Sequence, residues 1–382
     1  MAELVIPKGV TAVLSRIRAA GFEGYLVGGC VRDYLMGFPP HDYDVTTSAL
    51  PEEMLKIFEG ARVIETGLQH GTVTVLTEDG PVEVTTYRQD GVYSDHRHPD
   101  GVTFTRCLRE DLARRDFTVN AMAMNGGEVV DLFGGQQDLR AGVLRCVGEA
   151  ERRFEEDALR ILRGLRFAAR LGFSLEEHTV AAIFGKKHLL KEIARERIFA
   201  ELSGLLLGDH APEVVGAYGA VLQEAVPQLR VDSAAQEALA RCPAELPMRM
   251  ACLLEPSAAA ETLRSLKVSN DFARNVLFLV REREKRCPAE RVAVRRCCVE
   301  YGAESFLMLC RFQENDTAES VAKQLLEEGV CLSLRELAVS GRELAALGYH
   351  GPAIGEKLAF LLEEVTQERV PNQRQALLEL LQ

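Results

Sequence analysis

Two aspartates one residue apart, Asp42 and Asp44, are a pair whose type and spacing could do chemistry. On an extended strand, side chains two apart project to the same face. Two carboxylates held there repel one another unless a cation lies between them, and hard oxygen donors in that arrangement suit Mg²⁺. Two such ions can clamp the attacking and leaving oxygens of a phosphoryl transfer. Upstream, Leu26-Val-Gly-Gly closes a β-rich run and opens a helical pattern. Gly28 and Gly29 would let the backbone approach a phosphate at the amide end of that helix, and Arg32, one turn in, could reach the same anion. A Gly-Gly pair alone fits an ordinary tight turn equally well; its company with Arg32 and the acid pair is what favours phosphate chemistry. Glu83, flanked by Val82 and Val84 on a neighbouring strand candidate, faces either the same cations or solvent.

The elements that must position these residues fall into two regions. Val- and Thr-rich runs at 25–28, 43–47, 71–77, 82–87 and 102–105, bounded by Gly, Pro and Asp, predict strands. The segment 51–60 starts with Pro and acids and stops at Gly, as a helix does. Residues 88–101 form a polar loop too long for a simple hairpin, and long loops in compact domains are often functional. Beyond about residue 148 the strand signal disappears, and 151–171, 176–190, 194–207, 212–225, 258–266, 271–286 and 333–347 read as amphipathic helices. The fold class expected is an α+β head with a small mixed β-sheet followed by an all-α remainder.

Composition bounds the function. The 382 residues suggest two or three domains, and 47% hydrophobic with 27% charged residues is normal for a globular chain with a sizeable core. No apolar run approaches the roughly 20 residues of a membrane span. The start shows no basic region followed by an apolar stretch, so the expected location is the cytoplasm. The ten cysteines are scattered, with one adjacent pair (Cys297 and Cys298) and no CxxC, which argues against a zinc site and for buried or reduced thiols. A formal net charge of −12 argues against a surface that grips nucleic acid everywhere; any such partner must be held by local basic patches.

The motifs, taken in order, resemble one family. Gly28-Gly-Cys-Val-Arg-Asp with Asp42-Tyr-Asp44 resembles the first motif of class II tRNA nucleotidyltransferases, in the DNA polymerase beta superfamily that also holds the bacterial poly(A) polymerases. Glu83-Val-Thr-Thr-Tyr-Arg88 is similar to the family's strand after the acid pair, and Asp111-Leu-Ala-Arg-Arg-Asp-Phe-Thr-Val-Asn-Ala-Met to its second motif. Asp131-Leu-Phe-Gly-Gly resembles the next turn, Glu156-Asp157-Ala-Leu-Arg160-Ile-Leu-Arg163 the nucleotide-selecting helix, and Ala194-Arg-Glu-Arg-Ile-Phe-Ala-Glu a later helical motif. The likeness is strong over about 20–205 and weaker in the tail, through Gly341-Arg-Glu-Leu and Gly348-Tyr-His-Gly-Pro-Ala-Ile-Gly.

The resemblance implies a palm-like nucleotidyltransferase head (1–148), a helical neck that selects the nucleotide (149–207), a body (208–330) and a tail that touches tRNA (331–382). It implies template-independent addition of C, C and A to the tRNA 3′ end from CTP and ATP, with tRNA held at its acceptor stem and elbow. Asp42 and Asp44 would hold Mg²⁺, with Glu83 as a third acid; Gly29 and Arg32 would meet the triphosphate; Arg115 would brace Asp157 and contact the nucleotide; Arg163 and Arg166 would join Asp157 and Arg160 in nucleotide binding. On one helix, Asp157, Arg160 and Arg163 at i, i+3 and i+6 share an arc of about 120°. A carboxylate there would accept from the exocyclic amino group that cytosine and adenine both carry, and a guanidinium would donate to ring nitrogens or the cytosine carbonyl; a mismatch typically costs ~1–3 kcal/mol per contact. The segment 151–170 carries six arginines against four acids, a modestly basic patch in an acidic chain.

Nearby alternatives are a poly(A) polymerase, disfavoured by an acidic Leu-rich end (Phe360-Leu-Leu-Glu-Glu-Val), and a partial CC- or A-adding enzyme. The polar segment 93–100 is expected to help the pocket change from C to A; its His96 and His98 are a weak metal signal. His41-Asp42 spells the dipeptide of HD phosphohydrolases, which need a further histidine upstream, and none precedes residue 41.

Overall fold

The computed structural model describes residues 6–40, 42–91 and 101–381; His41 and the segment 93–100, with His96 and His98, lie outside the described residues. The chain forms two compact units, Met1–Gln236 and Glu237–Gln382.

The first unit starts with α1 (Lys8–Ala19), β1 (Gly24–Val27), α2 (Gly29–Leu35), β2 (Asp44–Thr47), α3 (Pro51–Ile57), β3 (Val63–Ile64), β4 (Thr72–Thr77) and β5 (Gly80–Thr86). Then come β6 (Arg88–Asp90), β7 (Val102–Phe104), α4 (Leu108–Ala113), β8 (Met122–Asn125), β9 (Glu128–Asp131) and α5 (Gly135–Ala141). Seven of these strands make one sheet in the order β3-β4-β5-β2-β1-β8-β9. Its β2–β5 pair is parallel and its other pairs are antiparallel, so the sheet is mixed, as expected.

Strand alternation sorts the sheet's two faces. Leu26, Val45, Val82, Val84, Met122 and Met124 point into a core shared with Val10, Val13 and Ile17 of α1, Val31 of α2 and Met54 of α3. Their neighbours point the other way: Val27 and Ala123 pack with Leu112 of α4. Asp44, Thr46 and Glu83 belong to that second face, where Thr46 Oγ1 donates to Asp111 Oδ2 at 3.1 Å. The sheet thus has one apolar face under three helices and one face that carries the acids. Strands β8 and β9 and helix α1 were not read from the sequence. Met122-Ala-Met-Asn carries no β-branched residue and looks helical out of context.

A helical run follows: β10 (Val143–Leu144), α6 (Ala150–Glu156), α7 (Leu159–Leu171), β11 (Ser174–Leu175), α8 (Glu177–Lys186), α9 (Arg195–Leu206) and α10 (Ala211–Ala225). The expected single helix over 151–171 is broken. Asp157 has extended backbone (φ −140°, ψ 102°) and its Oδ1 accepts the Leu159 N–H at 3.0 Å, so the carboxylate stops α6 and caps the first turn of α7. Gly164 lets α7 approach the head, since a Cβ there would lie 2.9 Å from Phe117 Cζ.

The second unit is helical from Leu246–Cys252 to Arg374–Glu379, as expected beyond residue 208. The predicted helix over 333–347 is instead a 3₁₀ turn at Leu334–Glu336 and a separate helix at Gly341–Ala346, which Ser340 caps through the Glu343 N–H. All ten cysteines are free, and eight are buried. Among the described residues, no helix is long and apolar enough to cross a membrane.

Gly135 fixes α5 against the 3₁₀ turn Thr118–Asn120: a Cβ at this position would sit 2.3 Å from the Thr118 carbonyl oxygen and 2.9 Å from Met122 Cγ. A backbone carbonyl cannot swing aside. Gly135→Ala is therefore expected to lower stability by about 1–3 kcal/mol, the range for overpacking a core, as read from the urea midpoint; an unchanged midpoint would contradict this packing.

Candidate active site

The end of β1 and the start of β2 meet at one edge of the sheet, with Val27 opposite Asp44. Gly28 turns the chain there with φ +76°, a left-handed value that favours glycine, and a Cβ would crowd Arg115 Nη1 at 3.2 Å. Asp42 precedes β2 rather than lying in it, but both acids line the same cleft. Glu83 is the parallel register partner of Asp44 on β5 and is exposed beside it, outside the residues that line the cleft. Asp44 is solvent-accessible yet partly desolvated: that desolvation first, then the charges of Glu83 and Asp42, push its carboxyl up from its ordinary value, against the opposing pull of Arg115. Among the described residues no set of three or more His, Cys, Asp or Glu converges as a metal site.

The cleft holds about 680 Å³ and runs from Gly28 and Gly29 past the acid pair to α7 and Arg197. Eight arginines and five aspartates line it, so it is net positive inside a chain of formal charge −12. The guanidiniums are tethered. Arg32 is buried; it donates through Nε and Nη2 to Asp33 Oδ1 (2.8 and 2.7 Å) and through Nη1 to Asn120 Oδ1 (2.7 Å). Arg160, also buried, donates to Glu156 Oε2 (2.9 Å) and to the carbonyls of Arg153 (3.3 Å) and Arg114 (3.1 Å). Arg166 Nε lies 2.6 Å from Glu201 Oε2 on α9.

Asp116 and Arg163 join the head to α7. Asp116 Oδ2 accepts from Arg163 Nε (2.9 Å) and Nη2 (2.7 Å), while Oδ1 accepts from the Phe117 N–H (2.8 Å) and Asn120 Nδ2 (3.3 Å). Burial would raise the Asp116 carboxyl, but Arg163, with those two further donors, outweighs it and holds it below the usual carboxylate range. The segment itself is pinned by the Val147 N–H to the Asp116 carbonyl (3.1 Å) and the Thr118 N–H to the Arg145 carbonyl (2.9 Å).

Two expectations are corrected. Arg115 does not brace Asp157; its Nη2 lies 3.4 Å from Asp111 Oδ2, and it faces the Asp44 side of the cleft. The brace is Arg197 of α9, whose Nη2 donates to Asp157 Oδ2 at 3.0 Å. Nor do Asp157, Arg160 and Arg163 share an unbroken helical face, because the chain is extended at Asp157 and Arg163 turns to Asp116. The remaining predicted residues, Gly29, Arg32, Arg160 and Arg166, line the cleft with Asp157. Sequence reading missed Asp33, Asp116, Asn120, Phe167 and Arg197 as cleft residues, although all but Phe167 lie within motifs already singled out. Cys30 also borders the cleft; burial pushes its thiol up to about 11, so it is no nucleophile at neutral pH.

Residues 24–145 match the family described as the poly A polymerase head domain, 172–216 the probable RNA and SrmB-binding site of polymerase A, and 247–381 the putative tRNA nucleotidyltransferase domain 2. The chain is 38% identical to the CCA-adding enzyme of Lactiplantibacillus plantarum, over 96% of this chain and 94% of that protein. It is 38% identical to the CCA-adding enzyme of Enterococcus faecalis, over 97% and 94%. The crystal structure of the Bacillus stearothermophilus CCA-adding enzyme in complex with CTP superposes with a TM-score of 0.85 at 30% identity, covering 98% of both chains.

The Asp116–Arg163 pair sets a pH dependence. A carboxyl lowered in the folded state contributes stability that is complete above its unfolded value and is lost as pH falls through the lowered one. Asp116→Asn should cost roughly 1.5–3 kcal/mol at neutral pH, as for a hydrogen bond to a charged group, and the variant should lose less stability than the wild type on acidification below the ordinary carboxylate range. Parallel acid-limb losses in denaturant titrations of the two proteins would rule out this assignment.

Proposed function

Because the chain belongs to the CCA-adding enzymes of the tRNA nucleotidyltransferase and poly(A) polymerase family, we propose that the cleft between the acid pair and α7 is where it adds C, C and A to the 3′ end of tRNA from CTP and ATP. The observation that carries this placement is the convergence of Asp42, Asp44, Arg32, Asp157 and Arg160 on one cleft.

Two carboxylates on one wall suit a Mg²⁺ site, since this ion is usually held by one or two protein carboxylates together with substrate phosphates and water. Desolvation first, then repulsion from Glu83 and Asp42, raises Asp44, and a bound cation would offset both. Such an ion, held by Asp42 and Asp44 with Glu83 alongside, would supply activation of a hydroxyl and neutralisation of phosphate charge. The residues of the chain do the rest. Gly28 and Gly29, with no side chains, leave room for the triphosphate, and Arg32, Arg163 and Arg166 balance its charge. Arg115, between Gly28 and Asp44, faces the α-phosphate end.

Asp157 and Arg160 read the base. Each Asp157 oxygen already accepts one hydrogen bond, from Leu159 N–H and Arg197, and keeps a lone pair for an exocyclic amino group. The protein partners of Arg160 hold its guanidinium in place before the base arrives, so a guanine or uracil would leave a polar group unpaired. The tRNA 3′-hydroxyl gives up its proton to solvent as its oxygen attacks the α-phosphorus, the α–β phosphoanhydride bond breaks, and pyrophosphate leaves. No covalent enzyme intermediate is required, in keeping with the raised Cys30 thiol. The positive cleft gives the terminal nucleotides of tRNA a local basic site, so binding should weaken with salt.

Transcripts ending before, within or after CCA, incubated with labelled CTP, ATP, UTP or GTP and then sequenced, should show stoichiometric C, C, A and no use of UTP or GTP. Long A runs would indicate a poly(A) polymerase, and addition of C alone a partial enzyme. Asp42→Ala should abolish incorporation while tRNA binding by gel shift stays within about twofold; incorporation that survives the change would remove Asp42 from the metal site.

A further inference from the structure

Phe167 sits on α7 at the wall of the cleft, 7% exposed, and gathers three of its cations. The guanidinium carbons of Arg166, Arg32 and Arg163 lie 4.6, 5.4 and 5.6 Å from its ring centroid. They come from different places: Arg32 from α2 in the head, Arg163 and Arg166 from α7 itself. Arg32 pairs with Asp33 and Arg163 with Asp116, while Glu201 pairs with Arg166 and also lies 3.9 Å from Arg163 Nη1. Those acids neutralise the charges, but none of them pairs with all three arginines. The ring is the one group that all three share.

An aromatic face carries negative potential and attracts a guanidinium at this range. It therefore offsets part of the repulsion among three like charges without placing a fourth carboxylate where an anion must enter. The plane of the ring is set from behind. Phe117, fully buried and next to Asp116, meets Phe167 edge-to-face at 6.0 Å and 83°. On the far side α9 makes room for the Arg166 stem at Gly204, where a Cβ would lie 2.5 Å from Arg166 Cδ.

We propose that Phe167 is a positioning residue whose ring holds Arg32, Arg163 and Arg166 as a preformed receptor for the triphosphate of the incoming nucleotide, without contributing to the choice of base. The proposal rests on the reading of the cleft as the nucleotide site and deepens it. A receptor for phosphates serves CTP and ATP alike, whereas a ring stacked on the base would favour the larger purine.

The test replaces Phe167 with mono-, di- and trifluorophenylalanine in the full-length protein. These rings keep the shape of phenylalanine and progressively weaken the negative face. The KM for CTP and for ATP, and the inhibition constant of inorganic tripolyphosphate, are measured on each, with Phe167→Leu as the end point. All three constants should rise stepwise and in parallel, by about five- to tenfold at the end point as expected for a partly desolvated cation–π contact, with kcat changed less and the ratio of the two KM values constant. Constants that ignore fluorination would mean the ring only fills space, and a shifted CTP-to-ATP ratio would mean it touches the base; either overturns the proposal. Failure of the underlying reading looks different: tripolyphosphate would not compete with CTP or ATP on the unmodified enzyme.

Discussion

The Asp116 carboxylate lies between the head and α7 with both oxygens occupied, two donors coming from Arg163 and two from its own segment. A buried carboxylate is costly unless its charge is met and its lone pairs are filled. Here both conditions hold only if α7 lies at one distance and one rotation from the turn that carries Asp116. Gly164 makes the distance sterically possible, and the Phe117–Phe167 edge contact fills the space beside the pair. The acid pair belongs to the sheet side and Asp157 and Arg160 to the helical run, so this pairing is what brings the two walls together as one cleft.

The cleft also shows how an acidic chain carries a concentrated positive site. Its charge is not diffuse. Each guanidinium near Phe167 is held by a carboxylate, and all three line the cleft. Groups ordered in advance lose little freedom when a ligand arrives, so more of the interaction appears as affinity. The excess of acids over bases elsewhere leaves this inward field local rather than spread over the surface.

Much of the head was legible because its strands alternate and its turns are punctuated: the runs at 43–47, 71–77 and 82–87 became β2, β4 and β5 within two residues of their expected ends. The helix break at Asp157 was not. Its neighbours have strong helical periodicity, and a short acid can either ride on a helix surface or cap the next one, a choice made by Arg197 forty residues on. For the same reason the partners of Arg32, Arg115 and Arg163 were out of reach: Asn120, Asp111 and Asp116 are polar residues whose pairing depends on tertiary approach, not on spacing. Phe167 read as one more apolar residue on an amphipathic helix, since nothing in the pattern says which cations will surround a ring.

The register that sets Asp44 beside Glu83 is the sheet's parallel pairing, and a parallel pairing needs a long crossover. Here the return path runs through α3, β3 and β4, the next wall waits for Asp116, and the last brace for Arg197. On a ribosome, a nascent chain therefore carries its acid pair long before it has the arginines that make the cleft positive. More than half of the polypeptide must emerge and fold before any reactive centre exists, and such non-local assembly is slow compared with helix formation. Newly made molecules thus pass through a period without the assembled cleft, and a fragment released early would lack it.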